Sequence, residues 1–265
     1  MTILSTPMHA APAAVPPRES RPPEPRRLTL PAAIALHLVP GALIAAAYFA
    51  LLPLTRRLLL PSVAALALTG LLVIPPVELG VLMMYRRRGR HAFSHEPVVP
   101  WRTRLPLRRL VGWSATIMLA AAIAFAASGG QSESVRRGAF AWWPASWKVE
   151  LGAGGGFSRP SLIVAALLVI AGSVIVAPIV EEIYFRGFLL PRMPANIGRA
   201  APFVHAALFG LYHLWTPWLF PTRALAILPL VYAVTRTKDL RVAIVAHCAL
   251  NAVDAVVIIA YVVGR

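Results

Sequence analysis

Residues 161–190 read SLIVAALLVIAGSVIVAPIVEEIYFRGFLL, thirty residues in which Glu181, Glu182 and Arg186 are the only charged side chains. A helix needs about 20 apolar residues to cross a bilayer, so this stretch is long enough to span one. It also carries carboxylates where burial is costly, and ionisable groups at such depth are functional by default. Working outward, further apolar runs at 30–52, 62–85, 110–128, 200–215, 219–235 and 240–263 predict seven helices in all. The connection 129–160 holds Trp142, Trp143 and Trp147 beside Lys148, a composition suited to the membrane interface, and leaves an eighth, surface-lying helix open. The expected fold is an all-α, polytopic transmembrane helix bundle of about seven or eight helices.

Composition agrees. Of 265 residues, 58% are hydrophobic and 14% charged, with mean hydropathy +0.69, whereas soluble domains carry about 25% charged residues. An ordinary soluble enzyme is excluded. Twenty-six Lys and Arg against ten Asp and Glu give +16. The basic residues lie mainly between apolar runs and read as topology signals and headgroup contacts, so the expected partner is a lipid bilayer and no nucleic acid. Cys248 stands alone, which excludes an intrachain disulfide and a cysteine metal cluster.

Three regions are expected. Residues 1–28, rich in proline and without the apolar core of a signal peptide, form a disordered tail. Residues 29–160 hold the first helices and an interfacial loop, and residues 161–263 hold the helices bearing the polar groups. With the N-terminus cytoplasmic, seventeen basic residues fall inside and eight outside, with Arg186 within a helix. This bias places the protein in a cell (inner or plasma) membrane, multi-pass, N-terminus in and C-terminus out.

The polar residues sit mainly on three helices. Glu182 and Arg186 are four apart, so they share a helix face and can pair. Glu181, rotated by about 100° from Glu182, is left to find another partner, and Pro178 opens the turn above it. His205, Phe209 and His213 share one stripe, and His247, Asn251 and Asp254 another. At 1.5 Å per residue from the presumed cytoplasmic ends, Glu181 lies about 15 Å deep, His213 about 20 Å, His247 about 10 Å and Asn251 about 15 Å. His205 comes out at about 7 Å, which favours His213 as the site histidine. A partly desolvated carboxylate suits the role of general base for water. A histidine and an amide one turn apart suit an oxyanion, which fits His247 and Asn251. His213 could hold the water, assist proton transfer or bind a metal.

The blocks Glu181-Glu182-x-x-x-Arg186, Phe209-x-x-x-His213 and His247-x-x-x-Asn251, in this order and each in an apolar helix, resemble the CPBP intramembrane proteases. That family joins type II CAAX prenyl endopeptidases with bacteriocin-processing and self-immunity (Abi) proteins. The stretch Pro178 to Gly187 also matches its P-x-x-E-E-x-x-F-R-G pattern, and the likeness runs from about Ser161 to Val263, making 161–263 the catalytic region. The resemblance implies Glu181 as water-activating base, with Glu182 and Arg186 as the pair that orients it. It implies His213 as second catalytic or ligand residue, His247 and Asn251 as oxyanion stabilisers, and Phe209 as packing beneath the site. Zinc or another divalent metal on Glu181, His213 and His247 remains open beside a metal-free glutamate mechanism, the latter preferred. The excess of Ala, Arg and Pro suggests a high-GC bacterial gene, so a bacterial peptide or membrane protein is the expected substrate.

Competing readings are a non-proteolytic membrane scaffold or immunity protein and, further behind, a proton-coupled transporter, for which no broken-helix repeat is evident. Glu78, after Pro75 and Pro76, reads as a kink or pairing residue or a cavity lining. Asp254 reads as an orienting or capping group, His37 and His205 as structural, Cys248 as a packed thiol, and the Trp residues as interface anchors.

Overall fold

The computed structural model describes residues 25–101 and 103–264, except 91–98 and 152–155; the side chains of 88–90 are also left aside. Residues 1–24 of the expected tail lie outside the described residues. The described residues contain helices and no strand. Seven helices make the bundle: α1 (Leu30–Arg57), α2 (Val63–Arg87), α3 (Leu107–Gly138), α4 (Arg159–Arg192), α5 (Ala201–Tyr212), α6 (Phe220–Thr237) and α7 (Leu240–Val263). Six have the length and apolarity to cross a membrane, α6 together with the turn Pro217–Leu219. Their outward faces stay apolar, with Leu119, Ile123 and Val256 each at least 60% exposed, as lipid contact requires and water would not favour.

Two helices depart from expectation. Helix α3 continues ten residues past 128, through Gly129 and Gly130, to Gly138. Glu133 pairs with Arg136 and Arg137 one turn on, and the hydroxyls of Ser128 and Ser132 both meet Thr222 of α6 at 2.7 Å. Side-chain bonds thus hold a segment whose glycines favour an end. Among its described residues, the loop after it contains one three-residue helical turn, Ala145–Trp147, and no eighth helix. Helix α5, expected over 200–215, stops at Tyr212 and is about 18 Å long, too short to span.

Hydrogen bonds define two ends of the bundle. At the proximal end, where the chain enters, Leu28 N–H donates to Arg192 O (2.8 Å) and Leu105 N–H to Asp239 Oδ2 (2.7 Å). At the distal end, Val63 N–H donates to Glu150 O (3.1 Å) and Tyr48 O–H to Trp147 O (3.1 Å), and Trp218 packs on Phe140 and Trp143. Short α5 and the turn after it together carry the chain from Ala201 at the proximal side to Trp218 at the distal side. Helix α7 then starts at Asp239, proximal, and its Ala255 and Ile258 join Val63 in the distal core cluster. The start of α1 and the end of α7 therefore lie at opposite ends.

Prolines shape the helices that carry acids. Pro178 lacks the N–H of a helix bond and its ring crowds the preceding turn. Helix α4 answers with wider π turns at Val169–Val176 and Glu182–Leu189, on either side of Ala177–Glu181. Pro75 and Pro76 likewise open a π turn at Pro75–Leu79, which contains Glu78. Such turns are common at functional sites.

Glycine permits the closest helix approaches. A Cβ at Gly172 would overlap the backbone of Ala67, and one at Gly41 would overlap the carbonyl of Tyr212. Small residues at such crossings are what lets membrane helices pack. Gly41→Ala is expected to push α1 off the end of α5, destabilising the protein by about 2 kcal/mol or more. A thermal melt in detergent checks this, and an unchanged melt would show that α1 can yield there freely.

Candidate active site

Helix α4 supplies two acids and a cation. Arg186 Nη1 donates to Glu182 Oε1 at 3.0 Å, both side chains being wholly buried. Its guanidinium also lies 4.0 Å from the centroid of Phe209 on α5, a cation–π contact that offsets part of its burial. The turn is braced from outside by Trp101, whose indole N–H donates to Arg186 O at 2.7 Å.

His247, from α7, completes the pair. Its Nδ1 lies 2.8 Å from Glu182 Oε1. A carboxylate paired with Arg only accepts, so Nδ1 carries hydrogen and the ring orientation follows from that partner. Nε2 is thereby turned to Glu181, with Oε2 3.8 Å away. That is longer than a hydrogen bond and within ion-pair reach.

Glu181 has a second neighbour that sequence reading missed. Tyr212 O–H is 3.1 Å from Glu181 Oε1 and 2.8 Å from Glu78 Oε1. Glu78 is thus a member of the cluster, brought in by the π turn of α2. The sequence signal for this contact is Glu78 itself, since an acid in an apolar helix has to find a donor, whereas a tyrosine there is ordinary. Glu181, which the spacing leaves to find a partner outside its own helix, is met from both α5 and α7.

Exposure sorts the members. Glu78, Glu182 and Arg186 are 0% exposed, whereas Glu181 retains 5% and His247 6%. The sealed groups form the back of the cluster. Glu181 and His247 are buried too, but they are the members that keep a small exposed area.

His213 and Asn251 stand at the edge. Because α5 ends at Tyr212, His213 leaves the helical stripe with φ −80° and ψ 58°. Its Nδ1 sits 2.9 Å from Phe209 O; a carbonyl only accepts, so Nδ1 carries the hydrogen and Nε2 keeps its lone pair. Asn251 spends one amide hydrogen on Ser173 O, at 2.8 Å in the first π turn of α4. Its second N–H is the one an oxyanion would need.

Among the described residues, no group of three or more His, Cys, Asp or Glu side chains is arranged to hold a metal ion. The expected set of Glu181, His213 and His247 does not converge as donors, since His213 has turned out of the stripe and Phe209 lies against both imidazoles, 5.0 and 6.1 Å from their centroids. In this arrangement the residues do not fit zinc.

The remaining polar residues have other duties. His37 and His205 pair inside the bundle at 2.9 Å. Asp254 is exposed on α7, and Cys248 is a half-buried free thiol. Arg223 lies in the first turn of α6, where Nη1 bonds Thr216 Oγ1 at 2.7 Å and O at 3.3 Å. At the proximal end Asp239 caps α7 and pairs with Arg241 (2.6 Å). Burial pushes the Asp239 carboxyl up, but hydrogen bonds from Arg241 and the Leu105 N–H outweigh it and hold the group below the usual carboxylate range.

Residues 163–253 match the family model described as type II CAAX prenyl endopeptidase Rce1-like, about a third of the chain. Neither a curated protein nor a solved structure matches it. Helix α1 and Glu78 fall outside the matched segment, while every acid, imidazole and amide singled out on α4, α5 and α7 falls within it, apart from Asp254. The stretch that supplies Glu181, Glu182, Arg186, His213, His247 and Asn251 is thus the part of the chain that is similar to the Rce1-like type II CAAX prenyl endopeptidases.

Proposed function

We propose that the chain is an intramembrane endopeptidase in which Glu181 activates water and His247 answers the charge that develops. The supporting observation is the arrangement of the cluster: Glu181 and His247 face each other at 3.8 Å and keep 5% and 6% exposure, while Glu182, Arg186 and Glu78 behind them keep none. Glu181 takes a proton from water, and the hydroxide oxygen attacks the scissile carbonyl carbon. His247, protonated and held through Nδ1 by Glu182, presents Nε2–H to the oxyanion, in the manner of a buried acid fixing a catalytic imidazole. The second amide hydrogen of Asn251 serves the same oxyanion, and the Nε2 lone pair of His213 holds the water. The C–N bond then breaks, and the proton held by Glu181 passes to the leaving amine. Each role uses groups of this chain alone.

The cluster lies near the proximal end, since Arg186 is about 9 Å along α4 from Arg192. The excess of basic residues at that end supports a cytoplasmic face and cleavage from that side. Reporter fusions are expected to place the N-terminus inside and the C-terminus outside; the reverse pattern would move the substrate to the other compartment. The expected substrate is a peptide or membrane protein.

Cleavage of a quenched peptide library by purified protein tests the reading. Wild type is expected to cleave with or without chelator, and Glu181→Ala to fail while remaining monodisperse in detergent. Loss of cleavage with chelator and rescue by zinc would overturn the metal-free route.

A further inference from the structure

Tyr212 has one hydroxyl hydrogen and two carboxyl neighbours, Glu78 Oε1 at 2.8 Å and Glu181 Oε1 at 3.1 Å. It can donate to only one of them. The other contact, at hydrogen-bond length, needs a hydrogen on the carboxyl itself. If both acids were ionised, one carboxylate would press on a phenol oxygen with no hydrogen between them, at a contact where Glu78 and Tyr212 are both 0% exposed.

Which acid holds the hydrogen follows from the surroundings. Glu78 is 0% exposed and its second oxygen, Oε2, has no hydrogen-bond partner. Arg186 pairs with Glu182 through Nη1 and makes no hydrogen bond to Glu78, and His247 stands between Glu182 and Glu181. No cation contacts Glu78 among the described residues. An ionised carboxylate there would be uncompensated on one oxygen and repelled by Glu181 through the phenol. A neutral acid leaves an orphan carbonyl oxygen, a much smaller cost.

We propose that Glu78 and Tyr212 are positioning residues of the hydrolytic site: a protonated Glu78 donates to the Tyr212 oxygen, which aims the single phenolic hydrogen at Glu181. The proposal rests on reading Glu181 as the base. It gives Glu78, on a helix outside the family-matched segment, a defined job. The hydrogen-bonded chain Glu78, Tyr212, Glu181 fixes one carboxylate oxygen from behind, leaving Oε2 toward His247 and the water. The fold protects this line in two places. The π turn at Pro75–Leu79 contains Glu78, and Gly41 admits the Tyr212 backbone against α1.

Substitutions separate this from a simple packing role. Glu78→Gln keeps an N–H that can donate to the phenol oxygen, so kcat and KM are expected to stay within about threefold of wild type. Glu78→Ala and Tyr212→Phe each break the chain, and kcat is expected to fall by about tenfold to a hundredfold with KM little changed. All are compared in detergent at equal monodisperse fraction. If Glu78→Gln falls as far as Glu78→Ala, Glu78 acts as an anion and the proposal is wrong. If Glu78→Ala and Tyr212→Phe lower only the melting temperature, their role is structural and the proposal is again wrong.

A measurement independent of catalysis separates failure of this proposal from failure of the protease reading. The infrared carbonyl band of a protonated carboxylic acid is expected in wild type, retained in Glu181→Gln and lost in Glu78→Gln. Its absence from wild type would overturn the protonated Glu78 even if peptides are cleaved. Its presence in a protein that cleaves no peptide would sustain the hydrogen-bonded chain and reject the catalytic purpose assigned to it.

Discussion

Glu181→Gln is expected to lower peptide cleavage by about a thousandfold or more, the range set by loss of a positioned general base, with little change in folding. The amide is nearly isosteric with the carboxylate. Its Oε1 can still accept from Tyr212, which lies 3.1 Å from the native oxygen. What is lost is the capacity to take a proton from water and the negative charge 3.8 Å from His247. The measurement is single-turnover cleavage of the best peptide from the library, with a melt to confirm the fold. Cleavage within tenfold of wild type would remove Glu181 from the chemistry. A biological effect surviving in Glu181→Gln would favour the scaffold or immunity reading.

Much of this site was legible because the residues involved are expensive in a membrane. Carboxylates, arginine and histidine inside apolar runs stand out without any alignment, and their spacing assigns them to shared faces. The pairing of Glu182 with Arg186 follows from a four-residue step and is what the structure contains. Two kinds of feature were illegible. The first is the end of a helix: His213 was placed by extending a 3.6-residue stripe one step too far, beyond the turn where α5 stops. The second is the hydroxyl. Tyrosine is ordinary in an apolar helix, so Tyr212 carried no signal until Glu78 and Glu181 were seen on either side of it. The π turns belong with the second group: proline announced a disturbance of the helix, while its form, a wider turn that re-aims Glu78, came from packing.

Glu182→Ala is expected to cost about 3–5 kcal/mol of stability, because it strands a charge that burial has already stripped of water. Arg186 is 0% exposed, and its Nε and Nη2 have no hydrogen-bond partner even with Glu182 present. Removing Glu182 takes away the ion pair with Arg186, leaving chiefly the Phe209 ring at 4.0 Å. His247 loses the acceptor that fixes Nδ1 at the same time, so the protein that still folds should cleave poorly. The double substitution Glu182→Met with Arg186→Met discriminates between these two losses. Two apolar side chains of similar reach remove both charges together, and such replacements are often neutral or stabilising. The melting temperature is therefore expected to return most of the way to wild type while cleavage stays low, since nothing then orients His247. A double variant as unstable as Glu182→Ala would mean that the pair's hydrogen bonds, rather than its stranded charge, hold this part of the bundle. A double variant that regains cleavage would show that His247 needs no acid behind it.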